Sequence, residues 1–106
     1  EMVLAGSGPA FTFRFIDALA SAAAELGLPR AQAERLALAT VEGSSALAAV
    51  PPHDPAELAD RVASPGGMTR EGLNVLDADR ALQRLLVETL RAARDRGAEL
   101  AAAAKG

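Results

Sequence analysis

Apolar side chains recur every three or four residues along most of this 106-residue chain. No stretch alternates apolar and polar residues over the length of a strand, so the repeat is that of helices. The first periodic segment, from Phe11 to Leu26, is apolar on nearly all sides, which favours burial on more than one face. Aromatic residues make up only 3% of the chain. The pattern predicts an all-α helical bundle whose core consists mainly of Ala, Leu and Val.

Proline and glycine indicate where the helices begin and end. Ser7 and Gly8 suit the cap of the first helix, with Pro9 in its first turn, and Gly27 with Pro29 ends it. The later helices are predicted at about 30–50, 56–63 and 69–78, with a last helix from about residue 79 and a fraying tail at 101–104.

Composition excludes several classes of protein. A net charge of -3 and a pI near 5.1 argue against a nucleic-acid partner, which requires a clustered basic surface. No apolar run reaches the roughly 18–20 residues of a membrane span. The chain contains no cysteine, so disulfides, thiol nucleophiles and zinc–thiolate sites are excluded, and a cytoplasmic location is favoured. Because it begins without Met or a signal-like segment, we expect it to be part of a longer protein.

Two apolar surfaces predict self-association. The first helix is apolar on most sides, and the last helix carries a stripe of Leu82, Leu86, Leu90 and Leu100. A domain of this size buries only part of its surface when it folds alone. Because symmetric dimers are the commonest assembly, we expect an intertwined homodimer.

A glycine pair near the start raises the possibility of dinucleotide binding. Gly6-Ser7-Gly8 resembles the beginning of the dinucleotide fingerprint, and Glu25 lies at about the spacing of the ribose-binding acid. Phe11 occupies the position of the third glycine, and no second strand follows the helix. Entry into a helix from a linker is therefore the better interpretation.

No catalytic or metal-binding group is predicted from the titratable residues. His53 is the only histidine and lies in a polar loop among prolines and Asp54, with no second ligand close in sequence. A solvated loop residue is the favoured interpretation. The charged residues of the last helix are interpreted as an exposed face or the rim of an interface: Glu88, Arg91, Arg94, Asp95, Arg96 and Glu99.

The stretch Ser64-Pro65-Gly66-Gly67-Met68-Thr69 differs from every other loop in the sequence. Two glycines allow a tight turn and leave backbone N–H groups unshielded, and Thr69 opens the next helix, whose N-terminus favours an anion. The local chemistry leaves two interpretations open. One is a site for a carboxylate, with the Thr69 hydroxyl bonded to a neighbouring heteroatom, and the other is an ordinary turn capped by Thr69.

Four motifs, in order along the chain, carry a resemblance to a known family. They are Gly6-Ser7-Gly8-Pro9-Ala10-Phe11, the run from Asp60 to Thr69, Gly72-Leu73 with Leu76, and Arg96-x-x-Glu99-Leu100. The chain resembles the C-terminal domain of pyrroline-5-carboxylate reductase over essentially its whole length. It departs from the family pattern at Phe11, where Tyr is usual, at Met68, where Thr or Ala is usual, and in the polar Gly43-Ser44-Ser45.

The resemblance implies one half of a two-domain oxidoreductase. The fold would be similar to the C-terminal domain of 6-phosphogluconate dehydrogenase, forming a homodimer, with assembly of dimers into a larger oligomer left open. An N-terminal Rossmann domain, outside this chain, would bind NADP or NAD. The enzyme would reduce 1-pyrroline-5-carboxylate to L-proline in proline biosynthesis, and residues 1–106 alone would be inactive.

The resemblance also implies residue roles. Thr69 would be the catalytic residue, bonded to the ring nitrogen, and backbone N–H groups of Gly67, Met68 and Thr69 would hold the carboxylate. Val62, Ser64 and Gly66 would complete the substrate-binding loop. Two alternatives remain at this point: a stand-alone helical oligomerisation module without a ligand, and a related reductase of another cyclic imine acid.

Overall fold

The computed structural model describes residues 2–105, which contain five α-helices and no strand. The helices are α1 (Met2–Glu25), α2 (Arg30–Ala48), α3 (Pro55–Val62), α4 (Met68–Asp77) and α5 (Ala81–Lys105), with a 3-10 turn at Ala78–Arg80. The predicted all-α class is confirmed. No helix within this range is both long and apolar enough to cross a membrane.

The predicted start of the first helix is wrong. Helix α1 begins at Met2 and runs through Pro9, so Ser7 and Gly8 lie inside it rather than at its cap. A proline ring clashes with the Cβ of the residue before it, and Gly8 has none, which lowers the cost of continuing the helix. The predicted end is correct. Gly27 adopts φ 118°, and the N–H groups of Gly27 and Leu28 donate to the carbonyls of Ala24 and Ala23.

The chain divides into two compact units, of which one comprises Pro9–Arg61. Its core is made of alanine: Ala20 of α1 packs with Ala33 and Ala37 of α2. Four partly buried side chains surround them: Ile16, Ala23, Ala24 and Leu28. Because alanine extends so little from the backbone, the two helices must approach closely for these side chains to be covered.

A charged cluster joins the same two helices at the surface. Arg30, the first residue of α2, donates to Asp17 at 3.2 Å and to Ser21 at 2.8 Å in α1, and to Glu34 at 2.9 Å in its own helix. The hydrogen bond to Glu34, followed by the attraction of both carboxylates, raises the pKa of Arg30 against the opposing effect of desolvation. The cluster is solvent-exposed, so its contribution to stability is small.

The second unit contains the residues from Val62 onward together with the first eight of the chain. Here α4 and α5 pack against each other through the 3-10 turn. Asp79 and Arg80 in that turn have φ values of 53° and 54°, and the Asp79 carboxylate lies 3.2 Å from the Arg84 guanidinium. Helix α5 begins at Ala81 rather than Asp79, and continues through the alanines predicted to fray, because alanine has the highest helix propensity.

The alanine core predicts a strong dependence on side-chain size. We expect Ala33→Leu to lower the free energy of unfolding by about 1–3 kcal/mol, because extra methylenes in a close-packed contact force the helices apart. Ala33 is 1% exposed, whereas Ala31, two residues earlier, is exposed. Urea unfolding followed by circular dichroism measures the difference. Ala31→Leu is the matched control, and equal midpoints for the two variants would contradict this account of the core.

Candidate functional site

The stretch from Ser64 to Gly67 forms a tight turn ahead of α4. The Gly67 N–H donates to the Ser64 carbonyl at 3.0 Å, and Gly66 has φ 75°. Proline at the second position and a left-handed residue at the third are the pattern of a type II turn. The chain therefore leaves α3 and enters α4 through a defined turn. Gly66 is needed in that turn because its third position has a positive φ.

Gly67 serves a different physical purpose. It is the N-cap of α4, with φ -82° and ψ 169°, which any residue can adopt. A Cβ at this position would lie 2.6 Å from the Ser64 Oγ and 3.3 Å from the Ser64 carbonyl oxygen. The absence of a side chain at Gly67 therefore allows the Ser64 hydroxyl to lie directly beside the start of the helix.

The hydrogen bonds narrow the predicted set of anion-binding amides. The Gly67 N–H is already used by the turn, and the first helical hydrogen bond runs from Glu71 N to the Gly67 carbonyl at 3.1 Å. Met68 and Thr69 lie in the first turn of α4, where the helix itself supplies no acceptor for an N–H. Gly67 thus shapes the corner, and the amides of Met68 and Thr69 are the donors available to a ligand.

Thr69 is not the cap of the helix. It lies second in α4, and Gly67, which has no side chain, occupies the cap position. Within the described residues, no hydrogen bond engages the Thr69 side chain. The turn between the helices is present, but its predicted capping by Thr69 is wrong, because the hydroxyl is not used to satisfy the helix end.

The corner is open within its own unit. Val62 and Met68 are 74% and 92% exposed, and Ser64, Gly66 and Thr69 are exposed as well. The largest of the described cavities, about 440 Å³, lies elsewhere in this unit, lined by Val3, Leu4, Val87, Leu90, Arg91 and Arg94. A small acid at the corner would thus meet backbone donors and a hydroxyl, without enclosure by the residues of this unit.

One residue at the corner, Arg70, was not identified from the sequence. Arg70 follows Thr69, is half-buried, and its Nη2 donates to the Ala63 carbonyl oxygen at 3.4 Å. The signal that could have found it is its position, because a cation is unfavourable in the first turn of a helix, where an acid is preferred.

The other predicted features lie apart from the corner in sequence. Gly6-Ser7-Gly8 is within α1, and no strand precedes it among the described residues. His53 is half-buried in the loop after α2, where its backbone N–H donates to the Val50 carbonyl at 3.0 Å. Residues 2–105 contain no group of three or more His, Cys, Asp or Glu side chains that could hold a metal ion.

Comparison with known proteins identifies the family. The sequence profile of the pyrroline-5-carboxylate reductase dimerisation family matches residues 2–100. The chain belongs to this family. Relatives in the same family include pyrroline-5-carboxylate reductases from Treponema pallidum, 45% identical over 91 residues, and from Synechocystis sp., 42% identical over 97 residues. The match covers 86% and 92% of this chain, but only 34% and 36% of those relatives.

A solved structure of the family has the same fold. The crystal structure of Plasmodium falciparum pyrroline carboxylate reductase with NADP bound aligns with a TM-score of 0.82 and 29% sequence identity. The alignment covers 90% of this chain and 38% of that one. The chain thus spans about a third of the length of the curated reductases that it matches. The resemblance based on the Asp60–Thr69 motif is confirmed.

Replacing glycine by alanine should have opposite effects on stability at Gly66 and at Gly72. We expect Gly66→Ala to destabilise the chain by about 1–2 kcal/mol, because a Cβ is strained at φ 75°. Gly72→Ala, inside α4 with open space around it, is the control, and we expect it to stabilise by about 0.5–1 kcal/mol. Thermal unfolding of both variants tests the turn. A neutral Gly66→Ala variant would show that the corner does not require a left-handed residue.

Proposed function

We propose that this chain is the substrate-binding and dimerisation part of a pyrroline-5-carboxylate reductase. The enzyme would reduce 1-pyrroline-5-carboxylate to L-proline with NAD(P)H, in the last step of proline biosynthesis. The observation that carries the proposal is the corner before α4 in a chain of this family. There a tight turn is followed by two first-turn amides without a helical acceptor and by the exposed Thr69. The corner has the donors that a cyclic imine acid requires.

In this proposal the corner binds and orients the substrate. The N–H groups of Met68 and Thr69 hold the carboxylate, aided by the positive end of the α4 dipole. The Thr69 hydroxyl bonds the ring nitrogen, which gains a proton as the adjacent carbon gains a hydride. Ser64 and Gly67 close the turn through their backbone hydrogen bond, and Gly66 adopts the left-handed conformation that the turn requires. Val62 flanks the loop. The protein contributes position and polarity rather than a covalent step.

The described helices do not fit the cofactor that the reaction needs. Dinucleotide binding requires a strand, a glycine turn and a helix in succession, and Gly6-Ser7-Gly8 lies inside a continuous helix instead. We therefore assign NADP or NAD to a separate domain of the longer protein, and expect this chain alone to be inactive. The lack of cysteine favours a cytoplasmic enzyme.

The exposed apolar residues support a homodimer. Large apolar side chains are exposed in both units of the single chain, including Phe13 at 69% and Leu85 at 59% exposure. Obligate dimers typically bury about 2,000–5,000 Å² in total, and their interfaces are largely apolar. A second copy would cover these surfaces and close the open corner.

The function is tested with the full-length protein. The coding sequence upstream of Glu1 should encode a dinucleotide-binding unit, and the purified protein should oxidise NAD(P)H only when 1-pyrroline-5-carboxylate is present. A stand-alone oligomerisation module would show no such activity. Parallel assays with the six-membered cyclic imine acid identify the alternative substrate class, since that acid would also present a carboxylate and an imine nitrogen.

Removing the Thr69 hydroxyl should slow the reaction. We expect Thr69→Ala to lower kcat in the full-length enzyme by about one to two orders of magnitude, the scale of one polar contact made to a reacting group. Thr69→Ser retains the hydroxyl and is the control, with a loss of less than about threefold. Steady-state kinetics measure both. An unchanged kcat for Thr69→Ala would remove this side chain from the mechanism.

Charge on the α5 stripe should prevent dimerisation. Leu86 is 46% exposed in the single chain, and we expect Leu86→Asp to dissociate the dimer and lower its stability, because an interface would bury the carboxylate unpaired. Gln83→Asp, at an exposed polar position of the same helix, should leave the dimer intact. Light scattering coupled to gel filtration measures the mass. A folded, fully dimeric Leu86→Asp variant would place the interface on another helix face.

A further inference from the structure

A guanidinium group bridges the corner that the proposed function uses. Arg70 lies in the first turn of α4, and its Nη2 donates to the carbonyl oxygen of Ala63 at 3.4 Å. Ala63 is 5% exposed and immediately precedes Ser64, and Arg70 itself is half-buried. The contact therefore joins the residue that enters the turn to the helix that leaves it.

The turn alone does not determine the direction of the helix. The hydrogen bond from Gly67 N to the Ser64 carbonyl closes only those four residues. No side chain caps α4, because its N-cap is Gly67. The direction in which the amides of Met68 and Thr69 point depends on how the first turn of α4 is held relative to Ala63. The Arg70 side chain makes that connection across the corner.

The chemistry of arginine suits this position for a reason other than helix stability. A cation in the first turn faces the positive end of the helix dipole, so the charge itself is unfavourable there. Its planar guanidinium carries five N–H donors, and a charged donor forms a stronger hydrogen bond to a carbonyl than a neutral one. The hydrogen bond to the Ala63 carbonyl, at 3.4 Å, is a favourable interaction that opposes the unfavourable location.

We propose that Arg70 is a positioning residue for the substrate corner. It acts through the Ala63 carbonyl, holding the first turn of α4 so that the two amides and the Thr69 hydroxyl converge on one small acid. The proposal rests on the proposed function, because it concerns the same site. Arg70 contacts no substrate atom in this scheme, and the loss of its hydrogen bond weakens substrate binding more than it slows the chemical step.

The test compares variants of the full-length reductase by steady-state kinetics. We expect Arg70→Met to raise the KM for 1-pyrroline-5-carboxylate about five- to tenfold, while kcat and the KM for NAD(P)H change by less than about twofold. Arg70→Lys, whose ammonium can also donate to the Ala63 carbonyl, should recover most of the lost affinity. Arg84→Met removes an exposed guanidinium from α5 and should leave all three constants unchanged.

Ionic strength distinguishes positioning from simple charge attraction. We expect the ratio of KM between Arg70→Met and the unsubstituted enzyme to be the same at low and at high salt, since a direct attraction between exposed charges would be screened. A ratio that falls to one at high salt would overturn the positioning role. If Arg70→Met does not fold, Arg70→Gln, which is too short to make the same contact, is judged by the same criteria.

Failure of this inference can be told apart from failure of the proposed function. An unchanged substrate KM in Arg70→Met, with Thr69→Ala still impaired, would overturn the role of Arg70 alone. A large loss of kcat with little change in the substrate KM would also overturn it, because the residue would then act on the chemical step. A full-length protein without reductase activity would overturn both proposals together.

Discussion

The close contact of α1 and α2 through alanine is the constraint on which the unit Pro9–Arg61 depends. Its buried side chains are Ala20, Ala33 and Ala37, and such small groups contribute to stability only when the backbones of two helices nearly touch. At the contact itself only small side chains fit, and the larger Ile16 and Leu28 pack around it. Several large apolar side chains of this unit remain exposed, among them Phe15, Leu26 and Leu47, and a second chain can cover them.

The corner before α4 follows a similar logic on a smaller scale. Backbone groups at a helix N-terminus are normally satisfied by a side-chain cap, and here the cap position is a glycine. The glycine supplies no side-chain acceptor, so in our proposal the first-turn amides of Met68 and Thr69 are available to the substrate. The Pro65–Gly66 turn closes the corner, and in our proposal the Arg70 contact holds the first turn of α4 in place. A polar substrate would gain from donors that need no rearrangement before they bind.

Much of this could be predicted from the sequence because its signals are local. The repeat of apolar residues predicted helices, Gly27 with Pro29 predicted the end of α1, and Pro65 with two glycines predicted the corner. Local signals failed where the conformation of a residue depends on distant residues or on the whole helix. Pro9 was predicted to lie in the first turn of a helix, yet α1 extends seven residues before it. Asp79 and Arg80 adopt positive φ between α4 and α5, although neither residue is a glycine that would have indicated it in the sequence.

The sequence by itself determined the all-α class, the position of the corner and the membership of the reductase dimerisation family. Each of these depends on the identity and spacing of residues along the chain: the helical repeat, the turn residues and the order of the motifs. Only the tertiary structure decided which donors the corner offers. The Gly67 amide is taken by the Ser64 carbonyl, those of Met68 and Thr69 are not, and Arg70 reaches back to Ala63. Hydrogen bonds depend on distances and angles between groups, and the order of residues does not specify these until the chain is folded.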